Sequence, residues 1–306
     1  TSNLNDQGVV IKKVISKYHV YADGRTFQCG LSTQLYKEPS SSTIAVGDRV
    51  HINAIDRHTA TILAVLPRRN RYSRPAPKNG NRSFEQVIAS NVDQIVPVFS
   101  TASPIPKWRL LDRYLVAAEA AGLQALVCIS KSDLAPFSPD LPEKLAIYRA
   151  IGYPVLMVSA LSGEGLTELT EALHGRISVL VGKSGVGKSS LLNALQPGLN
   201  LSVQPVTRGK KGKGRHTTTH LEMFPLYAGG SVIDTPGIRE FGLWDIYAEE
   251  LADCFPEMAP LVGHCRFGLD CRHDQEPGCA IRKAVMAGKI SPLRYQSYMR
   301  LQEELP

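Results

Sequence analysis

A nine-residue segment that begins at Gly182 constrains the fold of this chain more than any other feature. It has the pattern Gly-x4-Gly-Lys-Ser, follows the apolar run Ile177–Val181 and precedes an apolar-periodic stretch that ends at Leu195. Such a loop turns backbone N–H groups towards phosphates at a helix N-terminus, so a strand before it and a helix after it belong to the motif. We therefore predict an α/β domain with a parallel sheet. The predicted phosphate loop consists of Gly182, Lys183, Ser184, Gly185, Val186, Gly187, Lys188, Ser189 and Ser190.

The segment Asp234-Thr235-Pro236-Gly237 also follows an apolar run and matches the Asp-x-x-Gly loop that senses a γ-phosphate. Together with the phosphate loop it predicts a Mg²⁺-nucleotide site. Lys188 is expected to bridge the β- and γ-phosphates, as part of the catalytic machinery, and the Ser189 hydroxyl to bind Mg²⁺. Asp234 is expected to reach Mg²⁺ through water, and the Gly237 N–H to contact the γ-phosphate.

A third loop, Ser130-Lys131-Ser132-Asp133, follows the apolar run 123–129 and indicates which base is bound. A carboxylate at the last position can accept hydrogen bonds from guanine N1–H and N2–H₂, which adenine does not offer. The Lys131 stem can cover the base. Ser159 and Ala160 follow another apolar run and are predicted to contact the base through the backbone.

The order of these loops differs from that of Ras-type GTPases, in which the base loop comes last. Here the base loop precedes the phosphate loop and Asp-x-x-Gly. The order predicts a circularly permuted GTPase domain over residues 84–242. The base loop of Ras-type proteins begins with Asn, and Ser130 can tie the loop to its neighbours with fewer donors.

The first 85 residues carry an excess of positive charge, with 13 Lys and Arg against 6 Asp and Glu, whereas the remainder is balanced. Five short runs rich in β-branched and aromatic residues predict a β-barrel, an OB-fold, over residues 1–67. Residues 68–83 are predicted to be a basic linker, either a solvated tether or a strap that contacts phosphates while Tyr72 stacks on a base. The basic excess indicates a polyanionic partner, although a solubilising surface has the same composition.

The tail, residues 243–306, contains a Cys-x5-Cys-x-His-x5-Cys pattern. Three thiolates and one imidazole form a closed tetrahedral zinc site of the structural kind. We therefore predict a helical zinc-binding domain. The alternatives are three buried free cysteines with a surface His, or His264 as a ligand. The predicted zinc ligands are Cys265, Cys271, His273 and Cys279.

These elements resemble the ribosome small-subunit-dependent GTPase A family, and the resemblance covers nearly the whole chain. The segments Gly214–Thr219 and Asp234–Phe241 are similar to its distinctive sequences. In the zinc pattern, the first gap is one residue longer than is usual in the family. The resemblance implies that the partner is the small ribosomal subunit with its rRNA, late in assembly, and that the subunit stimulates hydrolysis of GTP to GDP.

The basic, Gly-rich segment 207–215 lies between the phosphate loop and Asp-x-x-Gly, so it is predicted to be a switch. One of Thr217, Thr218 and Thr219 is expected to bind Mg²⁺ in the GTP state, with Thr218 taken as the candidate. The position after Asp-x-x-Gly, where Ras-type GTPases have the glutamine that orients water, is Ile238. His216 is therefore the candidate catalytic residue that positions water. Alternatively, the His216 side chain docks on rRNA or packs the switch.

Three functions fit these motifs to different degrees. An RNA-activated GTPase accounts for all of them. A nucleotide-gated RNA-binding assembly factor with only incidental hydrolysis is the second hypothesis. A small-molecule kinase leaves the base loop and basic front unexplained. The sequence has no apolar run long enough to span a bilayer and no secretory signal, so we expect no membrane partner. Three cysteines clustered near one His favour metal over disulfides and so predict a reducing cytoplasm. We also expect a monomer.

Overall fold

The computed structural model describes residues 7–14, 17–37, 44–75, 85–134, 139–201, 203, 221–235, 243 and 246–305. The predicted switch and its residues His216, Thr217, Thr218 and Thr219 lie outside these residues. Gly237 and Ile238 lie outside them as well. No helix among the described residues is long and apolar enough to cross a membrane.

The chain begins with a closed five-stranded barrel. Its strands are β1 (Gln7–Val14), β2 (Lys17–Ala22), β3 (Arg25–Leu31), β4 (Arg49–Ala54) and β5 (Thr59–Val65), and a short helix α1 (Thr33–Tyr36) follows β3. Hydrogen bonding runs β1-β2-β3-β5-β4 and returns to β1, with only the β3–β5 pair parallel. Inward-facing Val20, Phe27 and Ile62 are fully buried in its core. Strand number and closure confirm the predicted OB-fold barrel.

The segment predicted to be a linker is partly β-structure. Strand β6 (Arg71–Pro75) pairs antiparallel with β7 (Glu85–Ser90). Tyr72 is 2% exposed within the core, so the hypothesis that it stacks on a base is wrong. Arg68 binds buried Asp48, whereas Arg69 and Arg71 pair with acidic residues yet stay more than half exposed. The described part of this segment, residues 68–75, thus packs against both neighbouring domains, because Arg68 binds Asp48 of the barrel and the Tyr72 ring is buried in the central core.

The central domain is a mainly parallel sheet with helices on both faces. Its strands lie in the order β11-β10-β8-β12-β14-β13, and β13 alone is antiparallel to its neighbour. The apolar run 123–129 before the base loop forms two short strands, separated at Leu126. The strands are β8 (Gln94–Ser100), β9 (Gln124–Ala125), β10 (Val127–Ser130), β11 (Val155–Val158), β12 (Ile177–Val181), β13 (Glu222–Pro225) and β14 (Ser231–Asp234). The helices are α2 (Trp108–Ala120), α3 (Leu141–Ile151), α4 (Leu166–Leu173) and α5 (Lys188–Leu195).

The barrel and the central sheet meet edge to edge. Lys12 of β1 pairs with Glu222 of β13, and their side chains form a 2.6 Å ion pair. One twelve-stranded sheet therefore runs from the base-loop side of the central domain into the barrel.

The tail contains short 3₁₀ turns followed by α6 (Ala280–Met286) and α7 (Pro292–Gln302). Its core includes Phe255 and Tyr298, whose rings meet edge to face at 5.5 Å. A buried ion cluster joins this tail to α2: the Arg294 guanidinium donates to Asp112 at 2.6 Å and to Glu257 at 2.7 Å. It also lies 4.5 Å above the Phe255 ring. These helices confirm the predicted helical tail, and the Cys/His cluster described below is compatible with the predicted metal site.

Candidate nucleotide and metal sites

The phosphate loop connects β12 to α5, as its sequence predicts. Gly182 has φ +152° and lies so close to Val98 that an added Cβ would stand 2.4 Å from the Val98 carbonyl oxygen. Gly187, with φ +99°, turns the chain into α5. Only glycine fits both positions without strain. The strand, loop and helix thus place the N-terminus of α5 and its free N–H groups at the mouth of the loop.

Lys188 begins α5 and folds back into the loop. Its ammonium donates to the Gly182 carbonyl at 2.7 Å and to the Lys183 carbonyl at 3.2 Å. Burial lowers the pKa of Lys188, and the nearby Asp234 carboxylate opposes that shift. The buried cation and the loop N–H groups together form a strongly electropositive site that suits a polyphosphate.

Asp234 ends β14 beside the phosphate loop and is 6% exposed. Burial raises the pKa of its carboxyl, and Lys188 opposes the shift. Its Oδ1 atom is buried without a hydrogen-bond partner among the described residues. A buried carboxylate oxygen without a donor is costly unless a cation or its water completes it. Asp234 and the Ser189 hydroxyl at the start of α5 therefore fit a hydrated Mg²⁺ carried by the nucleotide.

The base loop begins where β10 ends, and its side chains tie it to the phosphate loop. Ser130 Oγ lies 2.5 Å from the Val186 carbonyl and 3.0 Å from the Phe99 carbonyl, so its one proton serves either acceptor. The Lys131 ammonium donates to the Gly185 carbonyl at 2.7 Å. Ser130 thus makes a link to the phosphate loop despite replacing Asn.

Asp133 is held by the loop that follows β11. The Ser159 hydroxyl donates to Asp133 Oδ1 at 2.5 Å and accepts from the Leu161 and Ser162 N–H groups. Ser132 in turn donates to Glu164 at 2.6 Å. The carboxylate is therefore oriented before any ligand arrives, and no described residue donates to Oδ2, which can accept a further donor.

A cavity of about 490 Å³ lies between the base loop and α5. This volume is within the range usual for small-molecule sites. Six residues predicted to bind nucleotide line it: Ser130, Lys131, Asp133, Ala160, Gly187 and Ser190. The sequence did not single out the other lining residues, Leu134, Leu161, Leu191, Asn193, Ala194 and Val203, because isolated apolar or amide side chains belong to no motif. Ser132 and Ser159, also predicted to bind nucleotide, do not line the cavity; they bond Glu164 and Asp133 behind it.

The tail brings the four predicted zinc ligands together. Their ligand atoms lie within 4.8 Å of one another, and all four residues are buried. Cys265 Sγ is 3.8 Å from Cys279 Sγ, and His273 Nδ1 is 3.4 Å and 3.6 Å from those two sulfurs. A tetrahedral zinc with ~2.3 Å Zn–S and ~2.1 Å Zn–N bonds requires edges of about 3.6–3.8 Å. The spacing and the donor set fit one structural metal ion.

The surrounding backbone also suits thiolate ligands. The Ala280 N–H donates to Cys265 Sγ and the Arg282 N–H to Cys279 Sγ, which caps α6. Burial raises the pKa of the Cys271 thiol to about 12, so a neighbouring cation is needed to hold it as thiolate at neutral pH. Burial also lowers the pKa of His273, which favours the neutral imidazole that binds metal.

Comparison with known proteins agrees with this architecture. The family model described as RsgA GTPase matches residues 65–244. The chain belongs to the RsgA GTPase family. It is therefore a GTP hydrolase with a circularly permuted domain, as predicted.

The relatives of this GTPase match it over most of their length. It is 46% identical over 303 residues to the "Small ribosomal subunit biogenesis GTPase RsgA" of Gemmatimonas aurantiaca, and 97% of each chain is covered. The protein of that name from Pseudomonas aeruginosa is 43% identical, with 93% of this chain and 81% of the relative covered.

Two solved structures have the same fold. YjeQ from Thermotoga maritima superposes with a TM-score of 0.78 at 33% identity and covers 98% of both chains. YloQ, described as a circularly permuted GTPase, gives 0.74 at 30% identity, with 99% of this chain and 96% of YloQ covered.

Proposed function

We propose that this GTPase acts in late maturation of the small ribosomal subunit, binds rRNA and is stimulated by the subunit. The observation that carries the proposal is identity of 46% across nearly the full length of a relative whose name states small-subunit biogenesis. The basic barrel supports it, because OB-folds are common platforms for single-stranded nucleic acid. We place this function in the cytoplasm, where bacterial ribosomes are assembled, and in a monomer.

The proposal assigns guanine recognition to the cavity beside α5. The two oxygens of the Asp133 carboxylate accept from the guanine imino and amino groups. Ser159 donates to a remaining lone pair of Oδ1, and the Lys131 stem covers the base. Ala160, after Ser159, contributes backbone contact to the base. Adenine has no matching donor pair and would leave the carboxylate desolvated and unpaired.

Phosphate binding and hydrolysis are assigned to the adjoining loop. Lys188 neutralises charge on the β- and γ-phosphates. Ser189 and Asp234 would hold a nucleotide-bound Mg²⁺, directly and through water, and when bound the ion would neutralise charge on the phosphates. Gly237, Thr218 and His216 complete the proposed site from residues outside the described ranges.

We also propose that the metal of the tail is zinc and that it is structural. All four protein ligands are present, so no position remains open for a water or a substrate, as a catalytic zinc would require.

The decisive experiment is GTP turnover with and without purified small ribosomal subunits, with large subunits as the matched control. We expect slow turnover alone and an increase of at least tenfold with small subunits only. Binding of small subunits without any increase would instead support the second hypothesis, a nucleotide-gated RNA-binding factor with incidental hydrolysis.

A further inference from the structure

A second cavity, separate from the nucleotide site, lies where the GTPase domain meets the tail. It has a volume of about 250 Å³ and is lined by residues of α2, α3 and α7. Its floor is deep, since Asp112, Arg294 and Ser297 are 5% exposed or less. Nothing in the chemistry of GTP hydrolysis uses this cavity.

Asp112 gives the floor a directional acceptor. Both hydrogen bonds that its carboxylate receives from described residues, from Tyr148 at 2.8 Å and from Arg294 at 2.6 Å, end on Oδ1. Oδ2 therefore remains to accept from a molecule within the cavity. An amino or imino group on a flat ring would supply such a donor.

Trp108 provides an aromatic wall. Its ring stacks on Tyr148, with centroids 5.9 Å apart and planes 25° apart, and the Lys144 ammonium stands 5.6 Å from its centroid. A rigid aromatic pair beside a cation is a surface on which a nucleobase stacks with its phosphate nearby.

The rim is basic. Arg109 pairs with Glu304 and Lys144 with Asp140, both at exposed or half-exposed positions. Arg300 is exposed at the rim and forms no ion pair with another described residue. Arg300 at the rim can therefore bind a phosphate, while Asp112 at the floor can accept a hydrogen bond from the attached base.

We propose that this cavity, between α2, α3 and α7, binds one unpaired nucleotide of an RNA partner. The base enters over Trp108 and donates to Asp112, and Arg300 contacts the adjoining phosphate. This inference rests on the proposed function in so far as the RNA belongs to the small subunit. Because the site lies between two domains, occupancy would also hold the tail against the GTPase domain.

Trp108 is itself a reporter, since the chain contains only one other tryptophan, Trp244. The test uses the full-length, metal-loaded chain with W244F and follows Trp108 fluorescence during titration with single-stranded hexamers of adenosine or uridine. Labelled-RNA anisotropy measures total binding in the same samples. R300E is compared with R149E, which makes the same charge change at an exposed position of α3 outside the cavity.

We expect single-stranded RNA to quench Trp108 fluorescence saturably. The affinity measured from this quenching should fall about tenfold in R300E and stay unchanged in R149E. R300E should also lower the salt slope of binding by roughly one, the effect of one phosphate contact. Duplex RNA of equal length should leave Trp108 emission unchanged.

Three outcomes would overturn the proposal. RNA binding by anisotropy without change in Trp108 emission would place the RNA elsewhere. Equal quenching by free adenosine monophosphate, or by an acidic peptide, would assign the cavity to another ligand. Equal weakening by R149E would show a general charge effect. Turnover with small subunits is measured separately, so loss of stimulation with intact Trp108 quenching would refute the proposed function and leave this site standing.

Discussion

At the scale of single residues, base selection depends on one carboxylate. Ser159 fixes Asp133 from one side, and Ser130 and Lys131 attach the same loop to the phosphate loop. The base and phosphate halves of the site are therefore one hydrogen-bonded unit, although Ser130 and Val186 are 56 residues apart in the chain.

Asp133→Asn should weaken GTP binding at least a hundredfold, because it removes acceptors for two guanine donors, a loss of about 3 kcal/mol. Xanthine has a carbonyl where guanine has its amino group, and the Asn amide can donate to that carbonyl. The affinity for xanthosine triphosphate should therefore rise. Nucleotide affinities by fluorescence titration test both effects. Ser162→Ala, in the neighbouring loop, serves as control because Ser159 binds only its backbone N–H. Undiminished GTP affinity in the Asp133 variant would contradict the assigned role.

His216→Ala should leave GTP and subunit binding intact and reduce subunit-stimulated turnover by about two decades, the usual scale for a group that positions or transfers a proton. The reason is that Ile238 cannot hydrogen-bond a water, which leaves the imidazole as the candidate. Single-turnover hydrolysis on saturating subunits is the measurement. Full stimulated turnover would transfer the role to rRNA or to another residue.

At the scale of elements, the metal loop and α7 support each other. Tyr295 donates to the His273 carbonyl at 2.6 Å, and Tyr298 and Gln302 both donate to the Arg272 carbonyl. His273 itself has φ +61°, a left-handed conformation held by these contacts. The loop supplies little apolar surface, so its order depends on the metal and on this helix.

Cys271→Ser should abolish stoichiometric zinc and expose the amides of α6 and α7 to exchange, because the binding free energy of a structural metal is largely folding free energy. Cys254→Ala is the matched control, since Cys254 is buried in the same core but lies outside the cluster. Elemental analysis and hydrogen exchange measure both effects. One zinc per chain in Cys271→Ser, or none in the unaltered protein, would refute the assignment.

Most elements could be predicted because their signals are local. The glycines of the phosphate loop, the apolar runs that become β12 and β14, and the Cys/His spacing each specify a conformation or a ligand set within a short window. β13 could not be predicted, because Glu222–Pro225 is short and becomes a strand only by pairing with β14 and β1. Tyr72 was misinterpreted for the same reason: only the packing of β6 and β7 shows that its ring is buried. The Arg294 cluster likewise joins residues 182 positions apart.

At the scale of the whole molecule, Arg294 is the principal charged contact between the GTPase domain and the tail among the described residues. It is 1% exposed and satisfies two carboxylates and one aromatic face. The opposing carboxylates raise its pKa further above the usual range, against the effect of burial. It therefore remains charged at every pH at which the protein is folded.

Arg294→Ala should destabilise the protein by about 3–5 kcal/mol, because Asp112 and Glu257 would be left buried without a cation. Arg300→Ala, on the same helix but exposed, should cost about 0.5 kcal/mol or less. Urea unfolding followed by tail-specific hydrogen exchange measures the difference. Equal stability of the two variants would show that the cluster adds nothing net to the interface.

The charge of the barrel should govern the salt dependence of RNA binding. Lys17, Arg25 and Arg57 are exposed on it, and reversing all three to Glu should reduce the log–log salt slope by about three. Reversal of Lys283, Lys289 and Arg149, exposed in the charge-balanced part of the chain, keeps net charge equal and should change the slope little. Filter binding to small subunits at several salt concentrations measures the slope for both triple variants. Equal slopes in the two variants would assign the salt-dependent contacts to the linker or the tail.

The pairing of β1 with β13 has a consequence for the order of folding. Lys12 and Glu222 are 210 residues apart, so the barrel is synthesised long before the strand that it covers. A barrel with few distant partners can close early, whereas a contact of such sequence separation forms late. Until β13 emerges and pairs, the edge of β1 at Lys12 remains open to other strands. The junction therefore joins the barrel to the central sheet only once β13 and β14 have been made, and the tail, residues 243–306, is still to be added through the Arg294 cluster.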